Sequence, residues 1–296
     1  MRSLRMPSLK RVLAERLAAR KPVAALRVAC EALGIVNVQA RLKPDSPLYR
    51  AGGGEFIEMA LDRVIAPWVL QNGSWQLDEL DFLCAHAPGE DCLLIDLGAN
   101  VGCFTRQLVH RLPNIRHAVC FEPHPRHVEL LRRNLAHLCQ CTIVAAAVGP
   151  QPGQLTFYEE LENAGNYSLN IDAMRNRAYR TSQVQCLAAS ESTLLSSVPG
   201  DLRRLPILWK SDTQGLDELI MTMLPLEFWD RVQAGVMEMW RIDRTGHDAQ
   251  RLAAIFERFP VRRSSARPDT NLSVNEILEF SQGRDYAAAD VYFARG

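Results

Sequence analysis

The chain has 296 residues, 47% apolar and 23% charged, with 34 Lys plus Arg against 34 Asp plus Glu. That length is somewhat more than one ordinary domain and long enough to bury a sizeable core. The even charge balance leaves no footprint for wholesale nucleic-acid binding, so no nucleic-acid partner is expected; no run reaches about 18 uninterrupted apolar residues, so no spanning helix is expected.

From Met1 to Gly34, eight basic residues (Arg2, Arg5, Lys10, Arg11, Arg16, Arg20, Lys21, Arg27) outnumber two acids, Glu15 and Glu31. Leu9, Val12, Leu13 and Leu17 recur on one helical face, which makes the segment basic and amphipathic. Arg27 and Glu31 interrupt the apolar stretch Val23–Val36, which argues against a secretory signal. Two uses stay open: packing on its own domain or a partner subunit, or peripheral contact with an anionic membrane surface. The expected division is a basic helical extension and loop over 1–54, then the main domain over 55–296. The expected location is cytoplasmic, with a membrane-peripheral variant.

Lys43–Gly54 carries the Pro and Gly clustering of a loop. Phe56–Leu61 and Leu77–His86 read as helical, ahead of the turn at Pro88 and Gly89. Leu93–Gly102 (LLIDLGANVG) begins as a short apolar run of the kind that fills a buried parallel strand. Phe104, Leu108, Val109 and Leu112 then recur at helical spacing. A second apolar run, Ala118–Pro123 (AVCFEP), ends in Glu122. The helix after it turns Val128, Leu131, Leu135 and Leu138 inward. Further strands are expected at Thr142–Val148, Pro206–Lys210 and Gly235–Met239, with a helix over Leu216–Met223. Leu155–Glu160 reads as an extended hairpin arm, and Asn163–Leu169 as a polar loop near the ligand mouth. Leu272–Phe280 and Asp290–Ala294 are expected to form an antiparallel edge pair. Strands alternating with helices imply a mostly parallel sheet with helices on both faces, an α/β Rossmann-like fold.

The turn after the first strand carries the chemistry. Gly98 and Gly102 allow positive φ and close approach of a ligand to the main chain, and the next helix aims its N-terminal amides at that ligand. Glu122 falls where a Rossmann-like βαβ unit places the acid that grips a ribose. The dinucleotide fingerprint is not met, because Asn100 replaces the middle glycine that a pyrophosphate needs. Asp96 would repel a diphosphate and attract an ammonium or sulfonium. These features fit S-adenosyl-L-methionine, and a ligand-free βαβ turn is the plain alternative. A nicotinamide-dependent oxidoreductase and a degenerate binding or scaffold fold are the rivals from other classes.

Eight cysteines, at 30, 84, 92, 103, 120, 139, 141 and 186, form no C-x-x-C pair and read as reduced core thiols. His124, His127, His137, Cys139 and Cys141 match no zinc spacing; no metal site is expected, and His124 and His127 read as a solvated face.

With these pieces placed, the chain resembles the FkbM family of S-adenosylmethionine-dependent methyltransferases. The matching text is DLGANVG (Asp96–Gly102), FEPHPRHVELLRRNL (Phe121–Leu135), AAVGPQPGQLTFY (Ala146–Tyr158) and LWKSDTQGLDELIM (Leu208–Met221), and Lys210, Asp212 and Gly215 are its more specific part. ESTLLSSV (Glu191–Val198) lacks the aspartates that many relatives carry there. The resemblance implies a class I methyltransferase fold and O-methylation, often of sugar or polyketide hydroxyls, hence a small-molecule or glycan acceptor. It places Asp96, Gly98, Asn100 and Gly102 on the cofactor loop and Glu122 on the ribose; Phe104 and Ala147 join them as cofactor-site candidates. Asp212 is the expected base or acceptor anchor, with Lys210 as its partner and Glu238 at the same rim. Two alternatives stay open: Lys210 and Asp212 as a structural ion pair, or Asp212 and Glu238 holding a divalent ion. Trp209, Trp229 and Trp240 are expected near the rim, where aromatic faces can stack on sugars.

Overall fold

The structure is a computed structural model that describes residues 37–240, 246–280 and 289–296; the basic segment 1–34 lies outside them. Asn37–Arg41 (β1) pairs antiparallel with Phe56–Ala60 (β2). Between them Ser46 caps the short helix Pro47–Arg50 (α1) by accepting from the Tyr49 amide. Phe56–Leu61 is therefore not helical. Ile57 and Met59 are buried while Phe56 is exposed, a period of two that a paired strand satisfies. This pair packs with Val69, Val101 and Leu130, so the chain from residue 37 shares a core with helices well downstream of it.

Helices Ile65–Asn72 (α2) and Leu77–His86 (α3) lead into Cys92–Leu97 (β3), which is buried along its whole length. Then come Cys103–Arg111 (α4), Ile115–Phe121 (β4), Pro125–Asn134 (α5) and Cys141–Val144 (β5). The single strand expected over Thr142–Val148 is divided: β5 stays in the main sheet and Ala147–Gly149 (β6) joins a second one. Ala145, Ala146 and Ala147 offer no large side chain to anchor a continuous strand, and a tight turn closes where the Ala146 amide donates to the Val144 carbonyl at 2.9 Å. The arm expected at Leu155–Glu160 is part of Gly153–Glu160 (β7). It pairs with Tyr167–Ser168 (β8) and, over eight register pairs, with Tyr179–Ala188 (β9).

Glu191–Leu195 (α6), Ile207–Ser211 (β10), Asp217–Met223 (α7), Leu226–Trp229 (α8), Val232–Met239 (β11), Ala249–Phe256 (α9), Val261–Ser264 (β12), Val274–Phe280 (α10) and Ala289–Ala294 (β13) complete the described chain. The main sheet runs β12-β13-β11-β10-β3-β4-β5. The five consecutive strands from β11 to β5 are parallel, and β13 runs antiparallel between β11 and β12. The edge pair is thus β12 with β13, and Leu272–Phe280 holds a helix instead. Its start is a capping box: the Ser273 amide donates to Glu276 Oε2 at 2.9 Å, and the Glu276 amide donates to Ser273 Oγ at 3.2 Å. Trp209 and Trp229 are not at the rim. Both are fully buried in the main core, with ring centroids 5.1 Å apart. Among the described residues no helix is long and apolar enough to cross a membrane.

Candidate functional site

Strand order reverses between β3 and β10, and ligands bind open α/β sheets in the crevice at the carboxyl ends of such strands. A cavity of about 410 Å³ lies at that edge, within the usual range for small-molecule sites. The second sheet walls it through Ala147, Val148, Phe157 and Tyr167.

Its first half is built on β3, β4 and the turns at their carboxyl ends. Gly98 has φ of +79°, and a Cβ there would lie 2.1 Å from the Asp212 carbonyl oxygen, so only glycine lets the two turns touch. Asn100 also takes positive φ, 50°, which asparagine tolerates. Its amide donates to Glu122 Oε2 at 2.9 Å, and its side chain donates to the Ala164 carbonyl at 3.2 Å, tying the loop Asn163–Leu169 over the cavity. Glu122 Oε1 accepts from the His124 amide at 2.9 Å and lies 3.6 Å from His127 Nδ1. Burial pushes the Glu122 carboxyl up, but hydrogen bonds and charge from His127 and His124 outweigh it and hold the group below its ordinary value. The cavity therefore presents an ionised carboxylate, fixed by two backbone amides, with acceptor capacity left over.

Gly98, Asn100, Phe104, Glu122 and Ala147 all line the cavity. Gly102 does not; a Cβ there would meet Leu131 at 2.7 Å, so it serves the packing of the turn on α5. Asp96 also lies beneath the floor. It is fully buried, accepts from Thr105 Oγ1 at 2.5 Å and faces Lys210 Nζ at 3.4 Å. Its charge is met from within the protein. His124 and His127 are not a solvated face: both are buried, because Pro125 starts α5 directly after β4 and turns them under Tyr167, whose ring stacks on His127 at 5.0 Å. His127 was reachable from sequence only as a histidine one helical turn beyond the ribose acid, a weak signal.

The second half comes from β10, β11 and β13. Lys210 Nζ donates to the Gly98 carbonyl at 3.1 Å and lies 3.9 Å from Asp212 Oδ2. Burial opposes its charge, but Asp96 and Asp212 outweigh that and hold the ammonium above its ordinary value. Lys210 and Asp212 do pair, yet Asp212 keeps about a quarter of its side chain open. Gln214 Nε2 donates both to Asp212 Oδ1 at 2.6 Å and to Glu238 Oε2 at 2.8 Å, and Trp240 Nε1 donates to the same Glu238 oxygen at 2.9 Å. Burial first, and the Asp212 charge second, push the Glu238 carboxyl well up. Asp212, Lys210, Glu238, Gln214, Trp240 and Asp290 all line this half. Gln214 and Asp290 were not singled out from sequence; nothing in a turn glutamine or a strand-end aspartate marks them until the strands are assembled. Of the three tryptophans named for the rim, only Trp240 is there. Among the described residues, no group of three or more His, Cys, Asp or Glu is arranged to hold a metal ion.

The parallel core, the antiparallel strand inserted at its far end and the acid-tipped second strand of the βαβ unit define a class I methyltransferase, Rossmann-like fold. No protein-family model and no curated protein matches the chain. Among solved structures it is similar to the 23S rRNA methyltransferase ErmE, at 11% identity, covering 75% of this chain and 68% of that chain with a TM-score of 0.36. It is also similar to methyltransferase FkbM from Methylobacillus flagellatus KT, at 12% identity and a TM-score of 0.39, covering 74% of this chain but only 48% of that one, so the chain spans about half its length. A third is precorrin-6y C5,15-methyltransferase from Geobacter metallireducens GS-15, at 11% identity, 74% and 87% coverage and a TM-score of 0.35.

Proposed function

We propose that this chain is an S-adenosyl-L-methionine-dependent methyltransferase of FkbM type that methylates a hydroxyl on a small-molecule or glycan acceptor. The observation that carries the reading is Glu122, an ionised carboxylate fixed by the Asn100 and His124 amides at the wall of the cavity. Such a group accepts from a ribose diol. The residues fit the cofactor: Asn100 holds that acid, Ala147 lines the same cavity, and Gly98 opens the main chain. When bound, the cofactor supplies a methyl group activated by a positive sulfur.

The chain's own residues do the rest. Asp212 reaches the cavity from the end of β10 and takes the proton of the acceptor hydroxyl, a role worth roughly 10²–10⁴-fold. Gln214 holds its Oδ1, leaving Oδ2, among the described residues, with the longer contacts to Gln76 Nε2 at 3.5 Å and Lys210 Nζ at 3.9 Å. Lys210 stays charged, so it orients and balances rather than acting as a base. Burial, and the Asp212 charge after it, push the Glu238 carboxyl well above its ordinary value, so it holds a proton more readily than a free carboxyl does. The hydroxyl chemistry and the sugar or polyketide class rest on the motif resemblance at Lys210, Asp212 and Gly215.

Calorimetric titration of the full chain with S-adenosylhomocysteine and with NAD tests the reading. Binding of the first alone is expected. Binding of NAD alone would make the chain an oxidoreductase, and binding of neither would leave a scaffold.

A further inference from the structure

Among the described residues, the second half of the cavity is lined by more carboxyl groups than basic side chains. Glu238 and Asp290 stand directly opposite each other in the antiparallel register of β11 and β13. Opposite residues share a face, with Cα atoms roughly 4.5–5.5 Å apart, and like charges in that position are destabilising. Both side chains line the cavity, with Asp212 beside them. Among the described residues neither Glu238 nor Asp290 makes an ion pair. Among the described residues, the lining lysine and arginine are both committed elsewhere. Lys210 lies closer to Asp96 and to the Gly98 carbonyl than to Asp212, and Arg177 is bonded to Glu160 at 2.6 Å.

A shared metal ion does not suit this arrangement. The Gln214 amide nitrogen, a donor, already bridges Asp212 Oδ1 and Glu238 Oε2, the place between the two carboxyls that a shared ion would take. Trp240 lines the same end, and an aromatic wall beside carboxylates suits an organic ammonium. We propose that the acceptor is an organic cation, an amino alcohol or amino sugar whose hydroxyl lies at Asp212 while its ammonium is held between Glu238 and Asp290. This rests on the methyltransferase reading and narrows its substrate class. Without such a guest, protons carry the load: burial first, and the Asp212 charge second, raise Asp290 to about 6, and Glu238 is raised by the same two causes.

The test uses the full chain saturated with S-adenosylhomocysteine, titrated with matched probes that differ by one ammonium: glucosamine against glucose, galactosamine against galactose, ethanolamine against ethylene glycol. In at least one pair the ammonium member is expected to bind about tenfold more tightly or better. Asp290→Asn should remove most of that ratio while leaving S-adenosylhomocysteine affinity in place. If the variant loses the cofactor product, salt decides the matter in the natural chain, since screening should shrink the ratio. Equal affinity across every pair, no binding of any probe at its solubility limit, a preference that survives Asp290→Asn, or a ratio indifferent to salt each overturns the proposal. Failure of the natural chain to bind S-adenosylhomocysteine overturns the methyltransferase reading instead, and the same titrations separate the two.

Discussion

Lys210 and Asp96 are both withdrawn from water, and at 3.4 Å each makes the other's burial tolerable. Lys210→Met should leave the Asp96 carboxylate buried without its cation, a loss of about 3–5 kcal/mol. Urea denaturation reads it, and an unchanged midpoint would show that the pair is incidental. Glu79, on α3 behind the acidic half of the cavity, is raised to about 7, chiefly by burial, with Asp290, Asp78 and Asp212 adding to it. Below its ordinary value of 4.5 the folded and unfolded chains are both protonated there, and nothing is lost. As pH rises toward 7 the unfolded chain gives up this proton first, so Glu79 makes stability fall across that window, by roughly 1–3 kcal/mol. Glu79→Gln should flatten the fall, measured as unfolding free energy against pH. Glu122 was legible in sequence because strand, turn and helix put it at a fixed distance from Gly98. The Asp96–Lys210 contact was not: it joins side chains 114 positions apart, and only the parallel register of β3 and β10 brings them together.

Elements with a strong period or a strong cap were readable, and those set by a distant partner were not. The helix α5 presents Val128 and Leu131 inward as their spacing requires. Phe56–Ala60 reads as a helix by composition but becomes a strand because Asn37–Arg41 offers it a register. In α10 the period was ambiguous, while the Ser273–Glu276 spacing was a local signal that outweighs it. Ser273→Ala should cost about 1 kcal/mol in a denaturant titration. A change near zero would mean that packing of Ile277 alone holds this helix.

Across the whole molecule the fold divides the labour. The carboxyl ends of β3 and β4 offer main-chain groups and one fixed acid; those of β10 and β11, with the amino end of the antiparallel β13, offer the carboxylates and Lys210. The sheet class was legible from strand–helix alternation, but the second sheet was not, because β9 is solvent-facing along much of its length and shows little apolar period. Glu122→Gln keeps the shape and removes the charge, so S-adenosylhomocysteine affinity should fall about tenfold or more, the worth of one charged hydrogen bond. Calorimetry checks it.

The most direct measurement is a crystal of the full chain grown with S-adenosylhomocysteine. Both ribose hydroxyls should lie on the Glu122 carboxylate, with the base beside Ala147 and the sulfur directed toward Asp212. A nucleoside bound away from Glu122, or a cavity that the same crystals leave without one, would contradict the account.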